Sequence, residues 1–282
     1  MRIATQALLA TLLAWAGMAV AQQRVTIATG DVSRSPHPLV AWTFMPSGPG
    51  PHPAVVMLHG CGGAYAKDGR LNARHRMWGE YLASHGYLAL MLDSFTSRGV
   101  KELCTQRMAE RTLRPAERAG DAFAALAWLA KRPDVDARRI GLLGWSHGGS
   151  TVLETVDQVP PAEPRFSAAI AFYPGCTPKA REGARFHPRA PLLMLVGEAD
   201  DWTPPEPCKQ LAAKAKGHGE SVEIVSYPDT YHDFDNPALK APRTRPDVPN
   251  GVHKGQGVTV APNPVAREDA KKRVLAFFGR AG

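Results

Sequence analysis

The sequence predicts an α/β fold with a mostly parallel eight-stranded sheet and helices on both of its faces. Three observations carry that expectation. From residue 54 onward, apolar runs bounded by Gly, Pro or Asp alternate with stretches of helical period. Those runs are almost continuously apolar, as strands buried on both faces must be. One of them ends in a glycine-crowded turn, "GLLGWSHGGS" at residues 141–150, directly before a helix-forming stretch.

Taken in order, the strands are expected at "RVTIATG" from Arg24, "VAWTFMP" from Val40, "AVVMLHG" from Ala54 and "YLALMLD" from Tyr87, then "RIGLLGW" from Arg139, "AAIAFYPG" from Ala168, "LLMLVGEAD" from Leu192 and "VEIVSYP" from Val222. The intervening helices each have a physical reason. "LNARHRMWGEYLASHG" places Leu71, Met77, Trp78, Tyr81 and Leu82 at spacings that share a face. "PAERAGDAFAALAWLAKRP" opens with Pro115, whose fixed φ suits a first helical position, and carries Phe123, Leu126, Trp128 and Leu129. "PPEPCKQLAAKAKGHG" and "REDAKKRVLAFFGRAG" consist of good helix formers. Residues 236–264, rich in Pro, Gly and charge, break the rhythm and are expected as an extended surface loop.

The composition, 44% hydrophobic and 21% charged, supplies one sizeable core, so a single domain over residues 22–282 is expected. Residues 1–21 have the form of a secretory signal: Arg2, a short apolar stretch, then Ala19-Val20-Ala21. That stretch is short of the ~20 residues a span needs, so the mature protein is expected to be periplasmic or secreted, without a membrane anchor. The net charge of +8 comes from Lys and Arg scattered beside acids, which reads as a solvated basic surface rather than a nucleic-acid-binding block.

The crowded turn carries the chemistry. Gly144-Trp145-Ser146-His147-Gly148 matches G-x-S-x-G, a strand-to-helix turn that exposes a serine hydroxyl above the sheet. A serine needs a base, and the base a group that holds its tautomer. In this turn type the acid and then the histidine follow the serine in the chain. Glu198, Asp200 and Asp201 end the seventh strand, and all three can reach the strand end. Of the later histidines, His232 alone follows a strand at the right edge; His218 and His253, like His37 and His52 earlier in the chain, read as surface residues. "LHGCGG" after the third strand suits an oxyanion loop, with the backbone N–H groups of Cys61 and His147 as donors.

Together "HGCGG", "LDSFTSRG", "GWSHGGS", "FYPGC", "GEADDWTPP" and "YHDFD" resemble the dienelactone hydrolase family of the α/β-hydrolase superfamily, over roughly Ala54 to Asp235. The resemblance implies the α/β-hydrolase fold. It selects Asp200, which lies four residues before Pro204, over Asp201, and matches His232 and Phe234 to an H-x-F motif. The chain departs from the dienelactone enzymes in its signal segment and in lacking clearly alignable substrate-binding arginines. Arg98 and Trp202 are candidate substrate contacts; the competing reading of Arg98 is a salt bridge that pins its loop. Four cysteines allow three pairings. In the strand order that the resemblance implies, Cys61–Cys104 and Cys176–Cys208 are the expected bridges.

These features point to a secreted serine hydrolase that cleaves esters or lactones through Ser146, His232 and Asp200 and an acyl-enzyme. An exopeptidase or amide hydrolase on the same fold, and a non-catalytic binding module, are the alternatives. No cofactor is expected. With no H-E-x-x-H and no Cys or His pair at ligand spacing, neither is a metal.

Overall fold

The computed structural model describes residues 20–29, 33, 35–159, 163–181 and 186–280; positions 1–19 of the expected signal lie outside them. All eight apolar runs form strands: β1 (Ala21–Ile27), β2 (Leu39–Met45), β3 (His52–Leu58), β4 (Leu88–Asp93), β5 (Val135–Trp145), β6 (Ala168–Phe172), β7 (Leu192–Gly197) and β8 (Val222–Tyr227). They lie in the order β1-β2-β4-β3-β5-β6-β7-β8. β2 runs antiparallel to β1 and β4, and every other pairing is parallel. The registers align Leu58 with Leu92 and Gly144, and Gly144 with Ala171. The residues that follow β3, β4, β5 and β6 therefore emerge along one edge of the sheet, the carboxyl edge where open α/β sheets bind ligands.

The helices are α1 (Ala73–Ser84), α2 (Pro115–Ala130), α3 (His147–Asp157), α4 (Thr177–Arg181), α5 (Glu206–Gly217) and α6 (Pro264–Arg280). Asn72 caps α1 by accepting from the Arg74 N–H, and Pro115 opens α2 as its φ favours. One face of the sheet is covered by α2, α3 and α5 through Phe123, Leu129, Val152 and Leu211. The other is covered by α1 and α6 through Trp78, Leu82, Ala270 and Val274. None of the described helices is long and apolar enough to cross a membrane.

Residues 236–264 depart from the expectation of a plain surface loop. They contain an antiparallel ribbon of β9 (Arg243–Arg245) and β10 (Val258–Val260). Leu239, Val248, Val258 and Val260 bury themselves against Trp202, Phe95 and Leu103 in a third apolar cluster, above the carboxyl edge. Three-residue strands are too short for periodicity to register, whereas four aliphatic residues spread over the segment suffice to hold it down. Cys61 is bonded to Cys104 and Cys176 to Cys208, at sequence separations of 43 and 32. In the chain-entropy model, loops of this size give each bridge about 4 kcal/mol.

Candidate active site

Ser146 sits at φ 53°, ψ −116°, a conformation that costs a side-chain-bearing residue roughly 1–3 kcal/mol. The surrounding glycines explain how the turn closes. A Cβ on Gly144 would lie 2.3 Å from the Gly148 carbonyl oxygen, and one on Gly148 only 2.1 Å from that of Leu58. Both obstacles are backbone, so neither can swing aside. Gly148→Ala is expected to destabilise the fold by on the order of 3 kcal/mol or more, read as a lowered denaturant midpoint. An unchanged midpoint would contradict the packing described.

The three carboxylates at the end of β7 go to three different places. Glu198 pairs with Lys209 at 2.7 Å on the surface. Asp201 Oδ1 accepts from the Thr259 N–H at 2.8 Å, and its carbonyl accepts from Val252, so it anchors the ribbon. Asp200 alone meets His232: Nδ1 donates to Asp200 Oδ2 at 2.7 Å, with both side chains 1% exposed. Asp200 Oδ1 in turn accepts from the Trp202 and Thr203 N–H groups at 2.9 and 2.8 Å, while Thr203 Oγ1 lies 3.0 Å from Oδ2. The carboxylate is thus fixed before the imidazole meets it.

Burial opposes protonation of His232, yet the charge and hydrogen bond of Asp200 outweigh it and raise the ring above the ordinary histidine value. With Nδ1 donating, the neutral ring keeps its lone pair on Nε2, which is buried and has no hydrogen-bond partner among the described residues. Trp202 and Tyr173 flank the imidazole with ring centroids at 4.6 and 4.5 Å. Such a ring can take a proton from a nearby hydroxyl and return it to a leaving group.

Behind this pair lies a buried network that the sequence reading left unassigned. Asp235 accepts from Trp78 Nε1 at 2.7 Å, Trp145 Nε1 at 2.9 Å and the Tyr173 hydroxyl at 2.5 Å. Trp145 precedes Ser146 and Asp235 follows His232 by three residues, so one carboxylate ties together the segments bearing both. Arg74 donates to Tyr173 and pairs with Asp233. Burial opposes ionisation of Asp233, but the Arg74 charge keeps its carboxyl below the usual range. The signal was present in "YHDFD": two acids alternating with a buried Phe234 beside a histidine, where a surface turn needs no such pattern.

Cys61 and His147 are 5% and 6% exposed, and the preceding Gly60 brings the Cys61 loop against Ser146, a Cβ there lying 3.4 Å from that of Ser146. The His147 N–H opens α3, where no intrahelical acceptor exists. The His147 ring points away into the protein and meets Arg118 at 2.8 Å; burial first, then Arg118, hold it well below the ordinary histidine value. Both candidate substrate contacts have partners within the protein, and for Arg98 it is the expected loop-pinning salt bridge that forms. Arg98 makes a two-pronged pair with Asp121 at 2.9 and 2.8 Å and donates to the Ser94 carbonyl, so its guanidinium pins the loop. Trp202 is 9% exposed, its ring packed on His232 beneath the apolar cluster. Among the described residues no group of three His, Cys, Asp or Glu is placed to hold a metal ion.

Comparison with known proteins gives a consistent picture. The model of the dienelactone hydrolase family matches residues 39–282. The probable 2-oxo-3-(5-oxofuran-2-ylidene)propanoate lactonase of a Bradyrhizobium species is 26% identical over 231 residues, covering 76% of this chain and 84% of that protein. A putative dienelactone hydrolase from Klebsiella pneumoniae superposes with a TM-score of 0.67 at 18% identity, over 92% of this chain and 99% of the other. Thermogutta terrifontis esterase 2, phosphoramylated by tabun, superposes with a TM-score of 0.63 at 19% identity, over 92% and 95%. At these identities the structural likeness speaks for the fold.

Proposed function

The chain belongs to the dienelactone hydrolase family, and from that premise we propose that it is a serine hydrolase of carboxylic esters or lactones, exported by a signal ending at Ala21. The observation that carries this reading is the Asp200–His232 pair, whose unpartnered Nε2 lies at the same sheet edge as the strained Ser146. In the proposed reaction Ser146 Oγ attacks the acyl carbon while His232 Nε2 takes its proton. The Cys61 and His147 N–H groups receive the developing oxyanion. The imidazolium then gives its proton to the departing alkoxide, leaving an acyl-serine. Water, deprotonated by the same ring, releases the acid and restores the hydroxyl. Throughout, Asp200 stabilises the imidazolium and keeps Nδ1 protonated.

The related lactonase and the esterase of the same fold make esters and lactones the first substrates to test. Purified protein assayed against aryl esters, lactones and aminoacyl amides is expected to turn over the first two classes. Turnover of amides alone would replace this reading with a peptidase, and no turnover of any class would favour a binding module.

The raised His232 sets a pH dependence. The base must be neutral, so kcat/KM is lost as pH falls through the pKa of His232, and the acid limb is expected above 6.5, the ordinary histidine value. A limb centred below 6.5 would show that Asp200 does not act on the ring as described.

A further inference from the structure

Basic residues that look scattered in sequence are concentrated in two segments packed beside the candidate site. Residues 94–114 hold five basic and two acidic residues, and residues 236–263 hold four basic and one acidic, so 49 residues carry +6 of the net +8. Both segments belong to the site's rim. The first bears Cys104, bonded to Cys61. The second donates from the Ala261 N–H to the His232 carbonyl and places the Arg245 guanidinium 5.8 Å over the Trp202 ring. They are joined to each other: the Met108 N–H donates to Asn250 Oδ1 at 3.0 Å, and Asn250 Nδ2 to the Gln106 carbonyl at 2.7 Å.

Two further observations concern what this rim presents. Its ion pairs are Arg98–Asp121 and Arg245–Asp247. The exposed Lys101, Arg107, Lys240, Arg243 and Lys254 form none among the described residues. Met108 and Val252, 52% and 51% exposed, are two of the four exposed large hydrophobic residues among those described, and they flank the Met108–Asn250 junction.

We propose that this rim docks the protein on an anionic phospholipid surface, with the candidate active site facing the interface. Unpaired cations are attracted to anionic headgroups, and each is worth roughly a fivefold change in partition near such a leaflet. A nucleic acid or acidic polysaccharide would answer the charges equally well but would leave Met108 and Val252 in water. A bilayer takes both, because aliphatic side chains beside basic ones settle at the boundary between headgroups and acyl chains. Esters dissolved in that boundary would then be delivered to the site without crossing bulk water. The docking itself does not depend on hydrolysis.

The test uses Ser146→Ala protein, so that no lipid is consumed and a failure of docking is separate from a failure of the proposed chemistry. Co-sedimentation with phosphatidylglycerol-containing vesicles at low ionic strength is expected, with loss of binding in about 0.5 M salt and little binding to pure phosphatidylcholine. The triple variant Lys101→Gln, Arg107→Gln, Lys254→Gln is expected to bind roughly 100-fold more weakly. Met108→Ser with Val252→Ser is expected to weaken binding about tenfold without altering charge. Built on the wild-type Ser146, both sets should keep the melting temperature and the turnover of a soluble short-chain ester. Equal binding to neutral vesicles, no binding to anionic ones, binding to heparin but not to vesicles, or full affinity in the double serine variant would each overturn the proposal.

Discussion

A Ser146→Ala variant is expected to lose on the order of 10⁶ in kcat toward aryl esters while unfolding at the same temperature as the parent. The size of the effect follows from the turn. Gly144 and Gly148 allow backbone contacts that no Cβ could tolerate, and in the proposed mechanism the strain at φ 53° lifts one hydroxyl above the sheet edge. Alanine keeps that backbone and removes only Oγ, so the loss reports on chemistry rather than folding. What activity is left would come from the oxyanion donors and from substrate binding. An activated phosphonate should label Ser146 in the parent, as peptide mass mapping would show, and should label nothing in the variant. Labelling at another residue, with activity retained in the alanine variant, would end the proposed mechanism.

The sheet was legible because strand segments buried on both faces must be continuously apolar, and Ala54–Leu58 of β3, Leu88–Leu92 of β4, Ile140–Trp145 of β5, β6 and β7 are. The turn at Ser146 was legible because its glycines answer to backbone contacts, and those leave a pattern over five residues. What was hidden depends on long-range geometry. A salt bridge for Arg98 was an open reading in sequence, but its partner was not legible because Asp121 lies on α2, 23 residues further along the chain. Asp235 looked like a loop residue because its three donors come from α1, β5 and the end of β6. The basic residues of the rim looked dispersed because their two segments lie more than a hundred residues apart and meet only in the folded chain, through Asn250 and the third apolar cluster.

Asp200→Asn is expected to lower kcat by on the order of 10⁴, and Asp201→Asn by less than about threefold. The geometry makes the first change severe. Oδ1 of residue 200 accepts from two backbone donors, the N–H groups of Trp202 and Thr203. An asparagine there must keep its carbonyl toward them and turn its NH2 toward His232. Nδ1 then has to accept, which moves the ring proton to Nε2. That is the wrong tautomer: a ring already protonated on the face toward Ser146 cannot take the hydroxyl proton. Removing the negative charge also lowers the His232 pKa, so the acid limb should shift to lower pH in the little activity that remains. The Asp201→Asn variant, by contrast, keeps an amide oxygen for the Thr259 N–H and leaves the ribbon anchored. Steady-state kinetics on one soluble ester distinguishes the two substitutions. If Asp201→Asn proved the more damaging, with Asp200→Asn close to wild type, the 2.7 Å contact between Asp200 and His232 would have no part in the reaction.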